Sequence, residues 1–262
     1  MVNVKKKRVK YSYFVILLTF SLLTSCKSPK SNIYEIEGKR IAINEKYTQD
    51  SKIENFVAPF RNHITNDLDS VLAYNPITLE KSNTIGKWQT NIGNLLAETT
   101  LVLSQPIFKT RENKTIDFCL LNYGGIRAII PQGNVTSRTA FEVMPFENSV
   151  IIVGLTGKEV KTLAEFIIKE KKPHPLAGIT IYTDQEENDI LKIEINNTPL
   201  DENKLYYVAT SDYLANGGDS MNFFRDSTIK VDIDYKLRNL LIDYFKKVDT
   251  LPNITTERVI TK

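Results

Sequence analysis

Residues 122–127 read Asn-Tyr-Gly-Gly-Ile-Arg, two glycines without side-chain bulk just ahead of a guanidinium that keeps its charge. A second glycine-centred stretch, Ser211-Asp212-Tyr213-Leu214-Ala215-Asn216-Gly217-Gly218-Asp219-Ser220, carries an aromatic and, at Asp219, an acceptor-only carboxylate. Between them lies Met144-Pro145-Phe146-Glu147-Asn148, with a ring beside a proline. Alone, each Gly-Gly is explained by a tight turn needing positive φ. Neither has the spacing of a dinucleotide fingerprint or the lysine of a P-loop. Metal hydrolysis is not encoded: a dinuclear centre needs several histidines, and the chain has only His63 and His174. No serine or cysteine nucleophile with a positioned histidine base is visible either.

The elements that must hold these stretches follow from periodicity. Ile53, Phe56, Val57, Phe60, Ile64, Leu68 and Val71 recur at helical spacing, with His63 as a polar surface residue of that helix. A second helix starts at Thr90 or Asn91, either able to cap it, and places Ile92, Leu95, Leu96, Thr99 and Leu103 on one face. A strand over 116–121 runs directly into the first glycine stretch, with Cys119 as a buried small hydrophobe. A strand over 150–155 follows, then a helix with Val160, Leu163, Ala164, Ile167 and Ile168 inward. Strands near 178–183, 190–195 and 205–210 precede a closing helix marked by Leu237, Leu240, Leu241, Tyr244, Phe245 and Val248. Helices and strands interleave without a strict βαβ rhythm, which predicts an α+β class: a single mixed-sheet domain with flanking helices.

The N-terminus reads differently from the rest. Lys5, Lys6, Lys7, Arg8 and Lys10 precede an apolar run from Tyr13 to Leu23, shorter than the ~20 residues of a span, and Leu23-Thr24-Ser25-Cys26 follows. This resembles a bacterial lipoprotein signal, so residues 1–25 are expected to be removed, Cys26 to be lipidated, and 26–35 to form a tether before a domain over 36–262. The expected location is the bacterial cell envelope, periplasm or surface, with the lipid as the only membrane contact. Removing residues 1–25 takes five of the 34 Lys+Arg and none of the 31 Asp+Glu, so the remaining chain carries 29 − 31 = −2. The remaining cations are scattered among acids, which argues against polymeric nucleic acid as a partner.

From about Thr84 to Phe245 the three stretches, in this order and spacing, resemble the C-terminal domain of 5'-nucleotidases, whose pattern is Asn-Gly-Gly-Gly-Ile-Arg, then Leu-Pro-Phe-Gly-Asn, then Asp-Phe-Leu-Ala-Asn-Gly-Gly-Asp-Gly. The resemblance implies roles for particular residues. Phe146 and Tyr213 would sandwich the base, Asp219 would accept from ribose hydroxyls, Asn122 would read a ligand edge and Arg127 would grip phosphate. Gly124 and Gly125 would let ligand and backbone approach. Three departures stand out: Tyr123 and Ser220 replace glycines, and Trp88 stands where the family's helix motif carries an arginine, with Lys87 beside it as the substitute charge.

The resemblance implies the nucleotide-recognition half of a 5'-nucleotidase, active in nucleotide catabolism with a separate metallophosphoesterase chain that carries the divalent metals. Without cofactor or metal site, this chain is expected to be inactive alone. The alternative is a nucleoside-binding lipoprotein without an enzymatic partner, which the loss of the arginine at Trp88 favours.

Overall fold

The strand Ser149–Thr156 is apolar at nearly every position, and its alternate residues enter two separate cores. Val150 and Ile152 point to one face with Cys119 and Ala209, while Ile151, Val153 and Leu155 point to the other with Phe118, Leu120 and Val208. A sheet buried on both faces explains why these segments read as continuous apolar runs rather than alternating ones. The computed structural model describes residues 4–23, 38, 40–82 and 84–262. These fall into two units divided between Ser51 and Lys52.

In the second unit a five-stranded sheet runs in the order Lys230–Lys236, Ser149–Thr156, Leu205–Ser211, Phe118–Leu120, Leu176–Ala177. One face packs against the helices Asn91–Glu112 and Leu237–Lys247, through Ile92, Leu95, Leu96, Leu240, Leu241 and Phe245. The other meets the helix Gly157–Glu170, whose Val160, Leu163, Ala164, Ile167 and Ile168 are all buried. A four-stranded sheet, Thr198–Pro199, Ile190–Ile195, Ile179–Thr183 and Val259–Thr261, closes that second core with Ile181, Ile193 and Val259. The expected α+β class is therefore the observed one.

Helix starts are specified locally. Thr90 accepts from the Gly93 N–H at 3.0 Å, capping Asn91–Glu112, which ends at Asn113 with φ 54. Thr156 and Glu159 form a reciprocal capping box at the start of Gly157–Glu170.

The helix Ser51–Asp69 forms as its spacing predicts, but Val71 begins a strand, Val71–Asn75, instead of closing the apolar row. None of that helix's residues is buried, and Ile53, Phe56, Phe60 and Ile64 stay exposed. His63 is exposed, 3.5 Å from Asp67. Cys119 is free and buried, and its burial raises the thiol pKa well above the ordinary value.

In the first unit, Val4–Leu23 is helical, and among the described residues no helix is long and apolar enough to cross a membrane. Cys26 and the 26–35 tether lie outside the described residues.

Candidate functional site

The strand directions bring the three stretches together. Phe118–Leu120 and Leu205–Ser211 are parallel, with Val208 opposite Phe118 and Ala209 opposite Cys119, so both leave the sheet at the same edge. Ser149–Thr156 is antiparallel to Leu205–Ser211 with Val150 opposite Ser211, so it enters the sheet at that edge. Residues 122–127, 144–148 and 211–220 must then meet outside the carboxyl ends of two central strands, the place where open sheets present ligand sites.

They enclose a cavity of about 350 Å³, at the lower end of the size range for small-molecule sites. Asn122, Gly124, Gly125, Arg127, Phe146, Tyr213 and Asp219, all seven residues singled out in the sequence, line it. Leu121, Met144 and Leu237 add apolar wall, and Asn148 and Ser211 add polar groups. Phe146 and Tyr213 are 41% and 46% exposed, so neither ring is spent on the core. Large exposed aromatics on a cavity wall are unexplained by packing and point to a ligand.

Asp219 organises one end. Its Oδ1 accepts from the Tyr213 hydroxyl at 2.8 Å and its Oδ2 from Asn122 Nδ2 at 3.0 Å, while its own N–H donates to the Tyr213 hydroxyl at 3.2 Å. The hydrogen bond to the carboxylate holds the Tyr213 proton and raises its pKa. Each carboxylate oxygen keeps acceptor capacity for a further donor.

The backbone explains the residue types. Asp219 and Ser220 adopt φ 51 and φ 64, left-handed values that Asp tolerates and that usually favour glycine. A Cβ on Gly218 would come within 2.5 Å of the Tyr213 ring, so the glycine lets that ring lie flat against the chain. A Cβ on Gly125 would meet Asn122 Oδ1 at 2.9 Å, so this glycine makes room for the Asn122 amide.

Phe146 is held from beneath by residues the sequence reading did not single out. Arg238, buried, donates to the Pro145 carbonyl at 3.3 Å and the Phe146 carbonyl at 3.5 Å, and pairs with Glu147. Its guanidinium lies 4.1 Å from the Phe141 ring centroid. Lys236 Nζ reaches the Glu147 carbonyl at 2.9 Å, and the Leu237 N–H donates to the Asn148 carbonyl at 2.9 Å. The only sequence signal was the basic pair flanking the start of the closing helix.

His174 supports the first stretch in the same way. Its Nδ1 accepts the Tyr123 N–H at 3.2 Å, and the Pro175 carbonyl accepts the Leu121 N–H at 3.0 Å. The ring is 3% exposed, and burial depresses its pKa to about 4 despite the opposing pull of the Asp219 charge. The imidazole is therefore neutral, with its proton on the other nitrogen.

Arg127 packs its guanidinium 5.7 Å from the Phe146 ring centroid and donates to the Gly124 carbonyl at 3.4 Å. Lys87, expected to substitute for a missing cation here, instead pairs with Glu187, and Trp88, buried, donates from Nε1 to the same carboxylate at 3.2 Å. Neither lines the cavity. Glu187, on the turn between Ile179–Thr183 and Ile190–Ile195, is the anion that engages both side chains. His63 is exposed on its own helix, His174 is committed to Tyr123, and no group of three or more His, Cys, Asp or Glu able to hold a metal occurs among the described residues.

The family model described as "5'-nucleotidase, C-terminal domain" matches residues 30–226. The 5'-nucleotidase of Vibrio parahaemolyticus is 26% identical over 209 residues, covering 78% of this chain and 35% of that protein. The 5'-nucleotidase of Mus musculus is 24% identical over 243 residues, covering 84% of this chain and 42% of that protein. Among solved structures, the 5'-nucleotidase precursor from Thermus thermophilus superposes with a TM-score of 0.67 at 22% identity, over 79% of this chain and 42% of that one. The chain thus spans less than half the length of these relatives.

Proposed function

The chain belongs to the 5'-nucleotidase C-terminal domain family, and from that premise we propose that its cavity binds a nucleoside 5'-monophosphate as the recognition half of a 5'-nucleotidase. The observation that carries this reading is the pair of half-exposed rings, Phe146 and Tyr213, on one cavity that also presents a carboxylate and an amide already aligned by hydrogen bonds. Rings take the base by stacking, which tolerates any base. Asp219 takes the ribose hydroxyls with its spare lone pairs, and Asn122 is fixed beside it. Arg127, which also lines the cavity, takes the phosphate through its planar fork. Because part of the carboxylate is already engaged by Tyr213 and Asn122, its orientation is set before the sugar arrives, which lowers the ordering cost of binding.

Hydrolysis would be the work of a metallophosphoesterase on a separate chain, whose metals activate water at the phosphate end. In this account the protein is lipidated at Cys26, lies at the bacterial cell envelope and serves nucleotide catabolism. A second reading, a nucleoside-binding lipoprotein with no enzymatic partner, draws on the commitment of Lys87 and Trp88 to Glu187, which leaves the cavity wall with fewer cations. Calorimetric titration separates the two. Adenosine 5'-monophosphate is expected to bind at least about tenfold more tightly than adenosine, since a charge-assisted contact contributes roughly 1.5–3 kcal/mol. Equal affinities would favour the receptor, and no binding of either ligand would remove both readings.

A further inference from the structure

Against the turn that carries Arg127, outside the cavity lining itself, lies a second cation that the sequence did not suggest. Lys81 Nζ donates to the Ile126 carbonyl at 3.2 Å and sits 3.8 Å from the centroid of the Tyr123 ring. Tyr123 and Ile126 are interleaved with Asn122, Gly124, Gly125 and Arg127, which line the cavity. The ammonium is thus held against the same six-residue turn that carries Arg127. Two further observations concern charge. Burial, together with the nearby Arg127 charge, lowers the Lys81 pKa. And among the described residues neither cation forms an ion pair with a carboxylate, whereas Lys87, Arg238 and Arg258 each do.

Like charges held together without an anion raise the energy of the empty protein, and an arriving anion relieves that repulsion. The neighbours of Lys81 do not supply one: a carbonyl and a ring face both stabilise an ammonium without neutralising it. A phosphate monoester carries about −1.5 to −2 at neutral pH, which matches two cations better than one. An ammonium has three donors, so with one on the Ile126 carbonyl it retains N–H groups for phosphate oxygens.

Resting on the nucleotide reading above, we infer that Lys81, held by the Tyr123 ring and the Ile126 carbonyl, is the second phosphate-binding cation of this site and sets its preference for nucleotide over nucleoside. Tyr123 acts in this as a platform: it fixes the ammonium, and His174 in turn fixes the Tyr123 backbone.

The test is calorimetric titration of the full chain and of its Lys81→Met and Lys81→Arg variants with adenosine 5'-monophosphate and with adenosine. Lys81→Met is expected to weaken monophosphate binding about five- to tenfold and leave adenosine affinity unchanged, while Lys81→Arg retains most of the monophosphate affinity. Retained adenosine binding also verifies that the variant folds. Equal losses for both ligands, or no loss for either, would overturn the assignment. If the unaltered chain binds neither ligand, it is the nucleotide reading itself that fails, a result distinct from a Lys81 variant that binds as the unaltered chain does.

Discussion

With Phe146 and Tyr213 both replaced by alanine, adenosine binding is expected to weaken by about 2–6 kcal/mol, from roughly 1–3 kcal/mol for each ring that stacks on the base. That is a loss of at least about 30-fold. The magnitude follows from where the rings stand. Both are exposed on the cavity wall, so they contribute face area to a ligand and little to the core. The thermal midpoint of the double variant is accordingly expected to stay near that of the unaltered chain. Tyr213→Phe separates the two parts of the tyrosine: the face remains, while the hydrogen bond that aligns Asp219 is lost. Its effect should be smaller than that of Tyr213→Ala, and confined to ligands with a ribose. Affinity that survives loss of both rings would show that no base sits between them.

The second large effect concerns acid stability. His174 is folded with a pKa of about 4 against an ordinary 6.5, because burial disfavours its charged form. Between those values the unfolded chain binds a proton that the folded chain does not. Stability from this group is therefore fully present above pH 6.5, declines as pH falls through the window, and is lost below about 4. The whole change is on the order of 3 kcal/mol. The surrounding charges temper it without reversing it: Asp219 and Glu170 favour the imidazolium and Lys172 opposes it. Protonating Nδ1, which the folded chain does only near and below pH 4, also removes the acceptor of the Tyr123 N–H, so the cavity turn should loosen there. Carboxylates titrate there as well, and the comparison that isolates the histidine is with His174→Gln. Urea midpoints at pH 7 and pH 4.5 should show the unaltered chain losing about 2–3 kcal/mol more than the variant. Parallel losses would mean that His174 is not held neutral.

Much of this architecture was legible because it is written in local signals. Thr90, one of the two expected caps, marks a helix start by capping chemistry alone, and the Thr156–Glu159 pair does the same for the next helix. The two-faced strand Ser149–Thr156 shows as an unbroken apolar run. Periodicity also predicted the helix Ser51–Asp69, but it cannot say whether a face has a partner, and Ile53, Phe56, Phe60 and Ile64 are exposed. The seven lining residues were readable for a different reason, since three ordered motifs carry them and strand direction brings the motifs to one sheet edge. What sequence could not supply were contacts between residues far apart in the chain. Arg238 under Phe146 is separated from it by 92 positions, and Lys81 from the Ile126 carbonyl by 45. Lys87 shows the same limit in reverse: its neighbours in sequence suggest a phosphate contact, while Glu187, 100 positions away, claims it.

The most direct measurement is a crystal structure of the chain with adenosine 5'-monophosphate. The adenine ring is expected between Phe146 and Tyr213, with ribose hydroxyls within hydrogen-bond distance of Asp219 and the phosphate on the Arg127 side. A base lying outside this cavity, with the space between the two rings empty at saturating ligand, would contradict this reading.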